Sequence, residues 1–212
     1  MQLGALLPGL KVQRLAVSGS TSAEVREQQL PQALAARPVL ASVLVGLNDV
    51  LRTRCDRDEL VENLGGTLST LRYAGVSVLI ATLHDPTGQL HLPKSLARRV
   101  SQRVATVNDV VRAAAADDPG IRAVDLATEP RLAAGGAWAS DRVHLSVHGH
   151  TVLAAVAARA LGIDAPPVPA PPPGPGALRH LHWLLTSGTF WFVNGGARRS
   201  LPFLNPTPAE PR

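Results

Sequence analysis

The chain has 212 residues, 45% of them hydrophobic and 17% charged, with a formal net charge of +5. That balance excludes a disordered chain and leaves room for one cored domain with an appendage rather than two full domains. One cysteine, Cys55, excludes an intramolecular disulfide and reads as an ordinary thiol beside a turn.

No run reaches the roughly 18 to 20 apolar residues of a membrane span. The opening MQLGALLPGLKVQRLAV has neither the charged start nor the cleavage site of a secretory signal, so a cytoplasmic location is expected. The basic residues are mostly arginines scattered along helix candidates, among them Arg98, Arg99, Arg103 and Arg112. They read as a solvated face, and no nucleic-acid partner is expected.

In chain order, Val12 to Val17 is the first strand candidate, followed by a helix over Thr21 to Ala36 that Thr21 and Glu24 open as a capping box. A strand over Ala41 to Gly46 precedes a helix over Asp56 to Ala74, capped by Asp56 and closed by Gly75. Val76 to Thr82, a helix over Ser95 to Ala116, a strand over Ile121 to Leu126 and a last helix over Val147 to Leu161 complete the series. The strands are apolar without clean alternation, as when helices cover both faces of a parallel sheet.

After Gly162 the composition changes to DAPPVPAPPPGPGA. Residues 1–163 therefore read as one domain, 164–177 as an extended proline linker that stands off the domain, and 178–212 as an aromatic, basic tail. Trp183, Phe190, Trp191 and Phe192 lie in that tail. It suits contact with a membrane surface or a protein, and equally well a return onto the domain's own surface.

Three stretches can carry chemistry. Ser18, Gly19 and Ser20 end the first strand candidate; Gly19 can offer a backbone N–H to an oxyanion, or the stretch is a tight loop with a cap. Gly46, Leu47, Asn48 and Asp49 end the next, where Asn48 can donate to an oxyanion or sit in a plain turn. In DRVHLSVHGH, Asp141 can fix the tautomer of His144 so that the other ring nitrogen takes a proton. Ser146 reads as a helix cap. His148 and His150 suggest a metal site with His144 only weakly, because no HExxH pattern or carboxylate cluster accompanies them; they read as polar helix residues, and no metal or cofactor is expected.

In their order along the chain, SG, GLND and DRVHLS resemble the motifs of the SGNH hydrolases, the GDSL-type esterases and lipases. EQQLPQAL, IATLHDPTG and HGH are similar to stretches in actinobacterial members. The resemblance spans roughly residues 5 to 163. It implies a flavodoxin-like three-layer α/β/α sandwich with a parallel sheet. It also implies a serine-type hydrolase of small-molecule or lipid carboxylic esters, with Gly19 and Asn48 as oxyanion donors, His144 as base and Asp141 as its orienter.

The family's nucleophile lies in a Gly-Asp-Ser motif at the end of its first strand, and this sequence contains no Gly-Asp-Ser. Ser18 and Ser20 fit loop and capping roles better than attack. The resemblance thus implies that the first strand and the serine are missing from this chain. The strands at Val12 to Val17 and Ala41 to Gly46 would then leave a gap or pair directly. The expected reason is a start placed too far downstream, with a degenerate relative or a partner-supplied strand as alternatives. The expected activity is ester hydrolysis, lost without the serine; the alternative is a non-catalytic binding protein that uses the same cleft.

Overall fold

The computed structural model describes residues 9–52, 54–90, 92–165 and 167–176, together with Leu178, His182 and Leu185. Three parallel strands form its sheet: β1 (Leu40–Val43), β2 (Ser77–Ala81) and β3 (Ile121–Val124), in the order β1-β2-β3.

The first helix, α1, consists of three abutting segments, Ser22–Glu24, Val25–Gln29 and Leu30–Ala36. Thr21 and Glu24 form the expected capping box, with Glu24 Oε2 accepting the Thr21 N–H at 2.9 Å. The middle segment is a π turn, and Pro31 accounts for it. Proline has no N–H to donate and its ring crowds the carbonyl four residues earlier, so the helix widens just before it.

Two helices lead from β1 to β2: the short α2 (Leu47–Leu51) and α3 (Arg57–Tyr73). Asp56 caps α3 by accepting from the N–H groups of Asp58 and Glu59. At its far end Gly75, at φ +76°, donates to Arg72 O while Val76 donates to Leu71 O, the paired closure that a left-handed glycine allows. After β2 come α4 (Thr87–Leu90) and α5 (Lys94–Asp117). After β3 two 3-10 turns, Pro130–Ala133 and Gly135–Ala137, precede α6 (Val147–Ala160).

Alternation along β2 sorts the core into two layers. Val78 and Ile80 join Leu64 and Leu68 of α3 and Val104, Val107 and Val111 of α5. Leu79 and Ala81 point the other way, to Val124, Leu126, Trp138 and α6 residues Val152 and Ala157. The result is an α/β/α sandwich. No helix among the described residues is long and apolar enough to cross a membrane.

Two expectations need correction. Val12 to Val17 forms no strand: the segment has no regular structure, and Val12 and Val17 are 61% and 65% exposed. It neither pairs with β1, whose ladder runs to β2 alone, nor finds a sheet face for its apolar side chains to cover. The linker also does not stand off the domain. Val168 packs into the α6 layer, and Pro172 and Gly174 lie against Gly136 and Gly135, where missing side chains let backbone meet backbone. Most of the tail lies outside the described residues.

The loop after β2 is held from inside. Asn108 of α5, 5% exposed, accepts the Leu83 N–H at 2.6 Å and returns a bond to Leu83 O at 2.9 Å. Asn108→Leu would leave both buried backbone groups without partners, at roughly 1–3 kcal/mol each, so a loss of about 2–5 kcal/mol is expected from urea denaturation. A loss below about 0.5 kcal/mol would show that the bracket contributes nothing net.

Candidate active site

The loops beyond the carboxyl ends of the strands carry the candidate groups, as in other open α/β sheets. Gly46 follows β1 at φ +111° and opens α2; a Cβ there would press Val107 at 3.0 Å, so glycine answers both the backbone angle and the packing. The next residues reach back to α1. Asn48 Nδ2 donates to Ser20 O at 2.9 Å. The Asp49 carboxylate accepts from the Ser22 N–H at 3.0 Å and from its hydroxyl at 2.7 Å.

Gly19 sits in that same loop at φ +84°, in a turn that Ser20 N closes on Val17 O. The structure therefore brings the Gly19 loop and Asn48 together. Nδ2 carries two N–H groups, so the bond to Ser20 leaves Asn48 a second donor. Burial raises the pKa of Asp49, with the Ser22 bonds acting against it.

Asp141 and His144 form the second pair. Asp141 Oδ2 lies 2.7 Å from His144 Nδ1, while Oδ1 accepts the N–H groups of Val143 and His144 at 2.9 Å each. Burial works to raise the Asp141 pKa, but the bonds from the His144 ring and the two backbone N–H groups outweigh it and hold the carboxyl below its usual range. The Asp141 bond in turn raises the His144 pKa against the opposing effect of burial. The acid is largely enclosed and the imidazole is open, with side chains 17% and 69% exposed.

The loop that presents this pair is pinned at its base. Trp138 and Leu145 bridge antiparallel, Ala139 N donates to His144 O, and Ser146 N donates to Ala137 O. Buried Trp138 sends its indole N–H to Leu132 O at 2.7 Å and stacks obliquely on His84. Arg142 turns the chain at φ +61°, a left-handed angle that is uncommon outside glycine, and donates to Gln89 O. Ser146 is the expected cap of α6, and a Cβ on Gly149 would run into Ala137 O.

Nearby hydroxyls and the thiol are otherwise committed. Ser20 Oγ accepts from Gln29, and Ser22 Oγ donates to Asp49. Burial pushes the Cys55 thiol up, which disfavours a reactive thiolate. Among the described residues no group of three or more His, Cys, Asp or Glu side chains is placed to hold a metal. Ser22, Asp49 and Trp138 were not singled out from the sequence. A serine beside a helix cap was the one hint for Ser22, and a lone tryptophan six residues before the histidine the hint for Trp138.

Residues 1–152 match the model of the GDSL-like lipase/acylhydrolase family. Among solved structures the chain is similar to Axe2, an acetylxylan esterase from Geobacillus stearothermophilus, with 24% identity, 77% of this chain and 78% of that chain covered, and a TM-score of 0.58. A single-site variant of that enzyme aligns at 23% identity over 78% of this chain and 79% of that one, with a TM-score of 0.59. No curated protein matches.

The pair has a pH signature. His144, raised in the fold, contributes stability that is fully present below its unfolded pKa of about 6.5 and is lost as pH rises through the folded value. Asp141, lowered in the fold, contributes stability that is present above about 3.9 and is lost as pH falls through its folded value. Asp141→Asn should therefore lower the melting temperature more at pH 5.5 than at pH 9, and NMR titration should show the His144 pKa falling. An unchanged His144 titration would refute the pairing.

Proposed function

The chain belongs to the GDSL-like lipase/acylhydrolase family, and from that premise we propose that Asp141 and His144 act as the base of a carboxylic ester hydrolase. The observation that carries the reading is the 2.7 Å contact between Asp141 Oδ2 and His144 Nδ1, made by a carboxylate that its own loop orients. With Nδ1 so engaged, Nε2 is the nitrogen left to take a proton.

In this mechanism a serine hydroxyl attacks the ester carbonyl and passes its proton to His144 Nε2. The Gly19 N–H and the second Asn48 N–H stabilise the oxyanion. Collapse of the tetrahedral adduct expels the alcohol, which leaves with the proton held on His144. Water then repeats the sequence on the acyl-serine and frees the acid. Substrates are small-molecule or lipid esters. Acetyl esters make a sound first probe, because the similar structures are acetylxylan esterases.

The 212 residues contain no Gly-Asp-Ser, so the reaction requires a serine supplied from outside them, for which sequence upstream in the same reading frame is the first place to look. The same observation favours one second reading, a non-catalytic binding protein that keeps the fold and the cleft.

The two readings differ in turnover of p-nitrophenyl acetate and butyrate by the 212-residue chain and by a chain extended upstream. Activity confined to the extended form and blocked by a fluorophosphonate is expected. In that form His144→Ala should remove most turnover without unfolding, and Asn48→Ala should lower kcat by roughly 10² to 10³. Absence of labelling and turnover in both forms would leave the binding reading.

A further inference from the structure

Beside β1 the sheet is open. The α6 face of that strand is uncovered, and between it and α6 runs an apolar groove of about 490 Å³ lined by Ser42, Leu44, Val147, His150, Leu153 and Ala154. Leu44 is 56% exposed and Val147 81%. The edge itself, Leu-Ala-Ser-Val, has no charge, proline or bulge to discourage pairing. The opposite edge, β3, differs: it carries the exposed cation Arg122.

We propose that this edge and groove receive the chain's own segment Thr189–Val193, which adds a fourth strand beside β1. Three observations select that occupant. The first is composition: five of the chain's seven aromatic residues lie after position 177, and Thr-Phe-Trp-Phe-Val is built of residues that favour strands. Being apolar at nearly every position, it suits a strand covered on both faces. Its two-residue alternation puts Phe190 and Phe192 on one face and Trp191 on the other.

The second is where the chain is headed. Pro172 and Gly174 lie against Gly136 and Gly135, and Gly136 O accepts the hydroxyl of Ser146, the cap of α6. The tail therefore departs beside the first turn of α6, whose Val147 and His150 line the groove. The third is reach. The 13 steps from Gly176 to Thr189 span about 20 Å as a helix and about 40 Å extended, enough to cross from the α6 cap to the sheet edge. Polar tips are available for the indole N–H, since Ser42 and His150 are both in the lining.

Hydrogen exchange of the full chain, read by mass spectrometry, tests this. Residues 39–45 and 188–194 should both exchange at least about tenfold more slowly than free chain. Phe190→Asp with Phe192→Asp, or Leu44→Glu alone, should release both segments while α3 and α5 stay protected. Free exchange of 188–194, or β1 protection that ignores the tail substitutions, would overturn the proposal. So would protection that grows with protein concentration alongside a dimer in light scattering, or that appears only on anionic vesicles; these outcomes would assign the groove to a second copy or to a membrane. Should the charged variants unfold, Ser42→Cys with Phe192→Cys in a Cys55→Ser chain provides a second reading: an intrachain disulfide supports the proposal, and an interchain disulfide or none overturns it.

Discussion

A half-buried carboxylate holds the candidate oxyanion groups in register. Asp49 stands just past β1, yet its partner is Ser22, 27 residues earlier in the first turn of α1. That serine offers both an N–H and a hydroxyl, and a helix N-terminus carries partial positive charge that favours an anion. Burying the carboxylate is unfavourable, and the direction of its pKa shift shows that the Ser22 bonds offset only part of the penalty. With Asn48 bonded to Ser20 O, the contact ties the Gly19 loop to a strand with which the chain before it does not pair.

The base is organised on a different plan. Asp141 and His144 are three residues apart, so their geometry needs no distant element; one carboxylate accepts both from the ring and from the backbone that carries the ring. The cost is local strain, since Arg142 takes a left-handed angle that disfavours most side chains. Trp138 makes this tolerable. Its indole bonds Leu132, its backbone bridges Leu145, and the turn cannot relax without breaking one of them.

What could be read from the sequence was local. The capping box at Thr21, the caps at Asp56 and Ser146, and the Gly75 closure all depend on residues within five positions, and each is where its pattern puts it. The three strands that pair were visible as apolar runs, although each observed ladder is shorter than its run. Val12 to Val17 has the same apolar character but no ladder, because strand propensity does not supply a neighbour. The Asp141–His144 contact was legible for the reason the caps were. The bonds of Ser22 to Asp49 and of Asn108 to Leu83 were not, since polar residues 27 and 25 positions apart carry no mark of their partner.

The seam of Gly135 and Gly136 with Pro172 and Gly174 has an evolutionary consequence. Backbone meets backbone there without an intervening side chain, so any Cβ at Gly136 or Gly174 would drive the two stretches apart. Natural variation in the linker is therefore not free: its prolines can drift where they face solvent, but the seam positions are bound to remain glycine together. Because Gly136 O also receives the Ser146 hydroxyl, a change in the linker would be felt in the loop that carries His144. Linker and site should then diverge among relatives as one unit, even though some 30 residues of chain separate them.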